Sequence, residues 1–264
     1  MSEILTATEN SIFTITLNRP EKRNALNDDL INDLKNALRE ADNDESICAV
    51  VIKGAGKDFC SGADLSALQK ISESSVLENW DDAHNLMELF LLIRKTKVPV
   101  IAVVRGRALA GGCGLATACD LALASASARF GYPEVKIGFV PAMVMAILRR
   151  NISEKRAFEL ATRGFEFDAP TAENFGLINR VFADETFEDE VKDYVADYTR
   201  VSRSAVVLSK RLLYQMDSMP FEAALQSGAD INTIARMTED CQNGITKFLK
   251  KSTLRTVDAI ISTP

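Results

Sequence analysis

Between residues 11 and 124 the hydrophobic pattern changes period repeatedly, and this switching restricts the fold more than any other feature of the sequence. Residues Ser11 to Leu17 are β-branched and aromatic and stop at Asn18-Arg19-Pro20, which reads as a strand followed by a turn. From Asn27, a residue suited to capping, Leu30, Ile31, Leu34, Ala37, Leu38 and Ala41 fall on one helical face. A strand at Ile47 to Ile52, a helix around Leu86 to Ile93 and a strand at Val98 to Val104 follow. A small-residue helix at Ala110 to Ala118 and a short strand at Asp120 to Ala124 complete the series. Strands alternating with helices predict an α/β fold built on a parallel-rich sheet. After Pro141 the pattern is nearly all helical, with blocks near Ser153 to Thr162, Glu185 to Tyr198, Arg203 to Met216 and Phe221 to Met237. The expected organisation is an α/β core over residues 1–195 and a C-terminal helical region over 196–264.

Several classes of function are poor matches. A net charge of −6 argues against nucleic acid as a partner, because phosphate binding draws on Lys and Arg. No stretch approaches the roughly 18 uncharged apolar residues of a membrane helix, and the N-terminus resembles neither a signal nor a transit segment. Five cysteines without C-x-x-C spacing form no disulfide framework and suggest reduced thiols in a cytoplasmic compartment. The single histidine, His84, falls on a predicted helix surface, and neither a G-x-S-x-G elbow nor a second histidine supports a hydrolase triad or metal cluster. No metal and no separate cofactor are expected.

Three stretches retain chemical interest. Gly106 to Gly112 joins a strand to a helix through glycines but lacks the Lys and Ser/Thr of a phosphate loop. Its helix start offers amides without intrahelical partners, a site for stabilising negative charge. Gly54 to Leu65 is a second small-residue turn between a strand and a helix. Two such turns could aim two amides at one oxygen as an oxyanion hole, while close helix–strand packing explains the Gly106 turn equally well on its own and two unrelated surface turns explain the pair equally well. Third, Glu134 sits among apolar and rigid residues in Phe130 to Gly138, just after a strand. Apolar surroundings lift a glutamate toward general acid/base work, whereas an exposed loop position would leave it ordinary.

Together with Leu17 to Leu26 (LNRPEKRNAL) and Phe130 to Pro141, the runs Phe59 to Leu65 and Gly106 to Asp120 resemble the crotonase superfamily, the enoyl-CoA hydratase/isomerase family. A weaker likeness reaches Asn243 to Leu249. The resemblance implies a crotonase-like spiral of β-β-α units with a C-terminal helical trimerisation region, assembled as a homotrimer or homohexamer. It implies an acyl-CoA substrate, with coenzyme A entering as part of that substrate. It assigns the oxyanion-hole amides to Ala63 and Gly111, proton transfer to Glu134, and substrate contacts to Lys22, Arg23, Ala25, Asp64, Leu65, Gly112, Phe248 and Lys251.

Typical hydratases of the family carry a second glutamate where this chain has Gly114. A lone glutamate resembles the 3-enoyl to 2-enoyl-CoA isomerases. Gly114 combined with Glu134 to Ala142 is instead similar to some bacterial methylglutaconyl-CoA-type hydratases, which places hydration of a 2-enoyl-CoA ahead of isomerisation. A catalytically inert CoA-binding protein is the third expectation. Ala142-Met143-Val144-Met145 also replaces a glycine-rich family stretch, where bulk could reshape the acyl pocket or simply fill the core.

Overall fold

A computed structural model describes residues 2–261, and the side chains of all of these except 65, 66, 68 and 251–261. The chain divides into two compact units, Met1–Asp197 and Tyr198–Pro264.

The first unit opens with β1 (Ile4–Glu9), β2 (Ile12–Leu17), α1 (Asp28–Asn43), β3 (Ala49–Gly54), α2 (Leu65–Glu73) and α3 (Val76–Lys95). It continues through β4 (Val100–Val104), β5 (Arg107–Leu109), α4 (Gly111–Ala118), β6 (Leu121–Ser125) and β7 (Arg129–Gly131). It closes with α5 (Ala142–Asn151), α6 (Glu154–Arg163), β8 (Glu166–Asp168), α7 (Ala169–Phe175), β9 (Arg180–Phe182) and α8 (Phe187–Ala196). The second unit holds α9 (Arg203–Gln215), α10 (Phe221–Arg236) and α11 (Glu239–Ile261).

The main sheet runs β1-β2-β3-β4-β6-β9, parallel throughout except for the β1–β2 hairpin at its edge. All of β4 and the first four residues of β3 are buried, which is why these strands read as continuous apolar runs rather than alternating ones. A second, smaller sheet runs β5-β7-β8. The chain steps between the two: β4 in the large sheet leads to β5 in the small one, α4 returns it to β6, and β7 crosses again. An isolated bridge from Cys60 to Ala108 extends the small sheet toward the β3 turn. This is the expected spiral of two strands and a helix per turn.

Local chemistry explains the elements. The Asn27 side chain accepts a hydrogen bond from the Leu30 amide at 2.9 Å, capping α1, and the predicted apolar face of that helix is buried. Burial of each such leucine or isoleucine contributes about 1.5–3 kcal/mol. Asn10 and Ser11 both take positive φ, 48° and 64°, forming the tight β1–β2 turn, so the strand starts at Ile12 instead of Ser11.

One sequence expectation needs correction, and one strand lies outside those expected. The stretch after Pro141 is not nearly all helical, because β8 pairs antiparallel with β7 and β9 parallel with β6. Each spans three residues, too few to show a period. The edge strand β1 went unrecognised because only Ile4 of its six residues is buried.

Candidate active site

Leu26 brings the two glycine turns together. It forms a parallel bridge with Ala63, in which the Leu26 amide donates to the Gly62 carbonyl (2.7 Å) and the Asp64 amide donates to the Leu26 carbonyl (3.0 Å). Successive amides of an extended segment face opposite ways, so the Ala63 N–H is turned away from Leu26. Among the described residues it has no hydrogen-bond acceptor.

The Leu26 side chain lies against the start of α4, where a Cβ at Gly111 would stand 3.2 Å from Leu26 Cδ1. Gly62 makes the turns touch directly: with φ at +95°, a Cβ there would stand 2.8 Å from Ala110 Cβ and 3.6 Å from the Gly111 nitrogen. Gly112 is packed more tightly still, its missing Cβ only 2.2 Å from the Cys60 carbonyl oxygen. Gly111 is the first residue of α4, and its N–H also lacks an acceptor among the described residues. The helix is preceded by Ala110 at φ 49° and ψ −128°, a conformation that costs a non-glycine residue about 1–3 kcal/mol and gathers at functional sites.

Glu134 stands in the 3-10 turn Pro133–Ile137, immediately after β7. The β7 end is tied to the same helix, the Ala110 amide donating to the Gly131 carbonyl at 2.8 Å. The glutamate is half-buried, and its Oε2 is buried with no hydrogen-bond partner among the described residues. Burial raises its pKa above the ordinary glutamate value, opposed only by a backbone hydrogen bond within the residue. Its neighbours on the electrostatic scale, the Cys113 thiol and the Tyr132 phenol, are both fully buried, and burial pushes the thiol up to about 12.

Gly114, at the position where the resemblance implies a second glutamate in typical hydratases, faces a filled space. A Cβ on it would stand 2.8 Å from Val144 Cγ2 and 3.2 Å from Phe90 Cζ. Of the bulky run after Pro141, Val144 is buried against Gly114, while Met145 is exposed.

The remaining expected contacts divide sharply. Lys22 and Arg23 are exposed, and the Arg23 carbonyl accepts from the Ser61 amide at 3.1 Å, which holds that basic loop against the Ala63 turn. Ala25 is buried and Asp64 is committed within the protein: Asp64 accepts from Arg19 Nη2 at 2.6 Å and lies 3.3 Å from Lys22 Nζ. Arg19, which sequence reasoning treated only as part of a turn, is itself buried and also bonds Glu3 and the Ala25 carbonyl. Phe248 is exposed on α11 in the second unit. The side chains of Leu65 and Lys251 lie outside the described residues. Among the described residues no cluster of three His, Cys, Asp or Glu could hold a metal ion.

Solved structures share this architecture closely. An enoyl-CoA hydratase from Mycobacterium smegmatis superposes with a TM-score of 0.91 at 32% identity, covering 95% of this chain and 97% of that one. The class is therefore that of the crotonase-fold enzymes. Among curated relatives, a Thermus thermophilus protein named as an enoyl-CoA hydratase is 37% identical over 91% of this chain and 95% of its own length. The 2,3-dehydroadipyl-CoA hydratase of Escherichia coli is 33% identical over 96% of this chain and 98% of its own. The enoyl-CoA hydratase/isomerase family profile matches residues 7–255, and the chain belongs to that family.

Proposed function

We propose that this enzyme hydrates a 2-enoyl-CoA, with the Ala63 and Gly111 amides binding the thioester oxygen and Glu134 moving the proton. The observation that carries the reading is the buried, unpartnered Glu134 Oε2, held beside a helix whose first amide is also unpaired. As water attacks the carbon β to the thioester, Glu134 takes its proton and the electrons of the double bond pass to the thioester oxygen. The two amides hold that enolate, and loss of one such donor costs about 2.7–4 kcal/mol. Glu134 then returns the proton to the α-carbon, so the product has gained one water.

Exposed Lys22 and Arg23 suit the phosphates of coenzyme A. Exposed Phe221, Leu225, Met237 and Phe248 support association of the second unit into a trimer or hexamer. Five free cysteines suit a cytoplasmic compartment.

One observation favours a second reading. Val144 and Phe90 occupy the space beside Gly114, which suits moving a proton between carbons, as in a 3-enoyl to 2-enoyl-CoA isomerase. Mass spectrometry of chromatographically separated products, from separate incubations with 2-enoyl-, 3-enoyl- and methylglutaconyl-CoA, distinguishes them. Gain of one water supports the hydratase, an unchanged mass with a shifted double bond supports the isomerase, and no turnover of any thioester leaves the inert CoA-binding protein.

A further inference from the structure

The segment carrying Glu134 has an unusual anchorage. The turn Pro133–Ile137 has no buried residue, and its last two residues and the following residues 138–140 are exposed. On one side Val135 and Lys136 rest near Gly164, where a Cβ would stand 3.1 Å from Val135 Cγ2. On the other side a polar attachment runs to α4. Tyr132, fully buried, places its hydroxyl 3.2 Å from Thr117 Oγ1. Thr117 Oγ1 is held in turn by the Cys113 carbonyl at 2.9 Å.

A phenylalanine would fill the same space without a buried hydroxyl, and burying a hydroxyl costs free energy unless it is hydrogen-bonded. The hydroxyl is accounted for by what it joins. Glu134 follows Tyr132 by one rigid residue, Pro133, while the helix that receives the hydroxyl begins with the Gly111 amide. We propose that Tyr132, clamped to Thr117 of α4, is a positioning residue that fixes Glu134 relative to the Gly111 amide. The proposal rests on the proton-transfer role given to Glu134 above. The Glu134 charge bears on the Cys113 thiol of α4 and on the Tyr132 phenol of its own segment. Both are held neutral by burial, so the clamp acts through distance and orientation rather than through charge.

The test compares the parent enzyme with Tyr132→Phe, Thr117→Val and the double variant, on whichever enoyl-CoA thioester the parent converts. Misplacing a catalytic group by about 1 Å costs up to 10²-fold, so Tyr132→Phe is expected to lower kcat by about 10- to 100-fold with KM nearly unchanged. The acid-side inflection of kcat/KM is expected to move down toward the ordinary glutamate range as the loosened turn admits water. Thr117→Val should act in the same direction, and the double variant should lose no more than the worse single one, as partners in one clamp do. A Tyr132→Phe enzyme with lowered Tm but unchanged kcat and inflection overturns the proposal. Should that variant not fold, the same unchanged result in Thr117→Val overturns it. Glu134→Gln separates the two claims: full activity there means the role of Glu134 is wrong. An inactive Glu134→Gln beside a fully active Tyr132→Phe means that only the clamp is wrong.

Discussion

Asp64 and Glu134 are two acidic side chains in the same unit, each with a buried carboxyl oxygen, and they have opposite fates. Asp64 is met by the Arg19 guanidinium at 2.6 Å and the Lys22 ammonium at 3.3 Å, so its charge is settled before any ligand arrives. Glu134 has a buried oxygen with no partner among the described residues, and burial raises its pKa. A compensated carboxylate holds loops together, whereas an uncompensated one is left to exchange a proton. The residue type is nearly the same, and the surroundings decide what it does.

The comparison can be broken by making the isosteric amide swap at both positions. Glu134→Gln is expected to cut turnover by about 10²–10⁴-fold while the protein still folds, and steady-state kinetics beside circular dichroism would register both. Asp64→Asn is expected to do the reverse, lowering stability by about 3 kcal/mol in urea titration because the buried Arg19 loses one of its two counter-charges and keeps only Glu3. If Asp64→Asn instead spares stability and abolishes turnover, the division of roles collapses.

Gly114→Ala sharpens the contrast by probing the packing of α4. Its Cβ would meet Val144 Cγ2 at 2.8 Å, so a loss of about 1–3 kcal/mol is expected, recovered in large part by Val144→Ala in the same chain. Equal stability of the single and double variants would mean that Val144 is not what fills the space.

The smallest effect concerns pH. A carboxyl whose folded pKa is raised binds its proton more tightly when folded, so its contribution is intact below the ordinary glutamate pKa of 4.5 and is lost as pH rises through the folded value. Glu134→Gln should therefore raise Tm slightly near pH 7 and leave it unchanged near pH 4. A lower Tm at neutral pH would show that the carboxylate is stabilised in the fold.

Much of this was legible in the chain. The apolar stripe of α1 with its Asn27 cap, the buried strands β3 and β4, and both glycine turns follow from period and local chemistry. Glu134 stood out for its apolar company. The meeting of the two turns was not legible, since it depends on Leu26 pairing with Ala63 and touching Gly111, contacts between residues distant in sequence. Arg19 was missed for a related reason: a buried arginine is identified by its distant partner Asp64, not by its neighbours. The bulk after Pro141 left a reshaped pocket and core filling equally open, and Val144 proves to be buried against Gly114 of α4.

The two amides at Ala63 and Gly111 have a consequence for hydrogen exchange. Backbone N–H groups in the strand ladder around them are locked to carbonyls and exchange with deuterated solvent only when the structure opens. These two have no protein acceptor among the described residues, so they exchange readily in the free enzyme. A thioester oxygen seated between them would slow both together, making deuterium uptake at two backbone positions a direct gauge of occupancy that needs neither turnover nor a label.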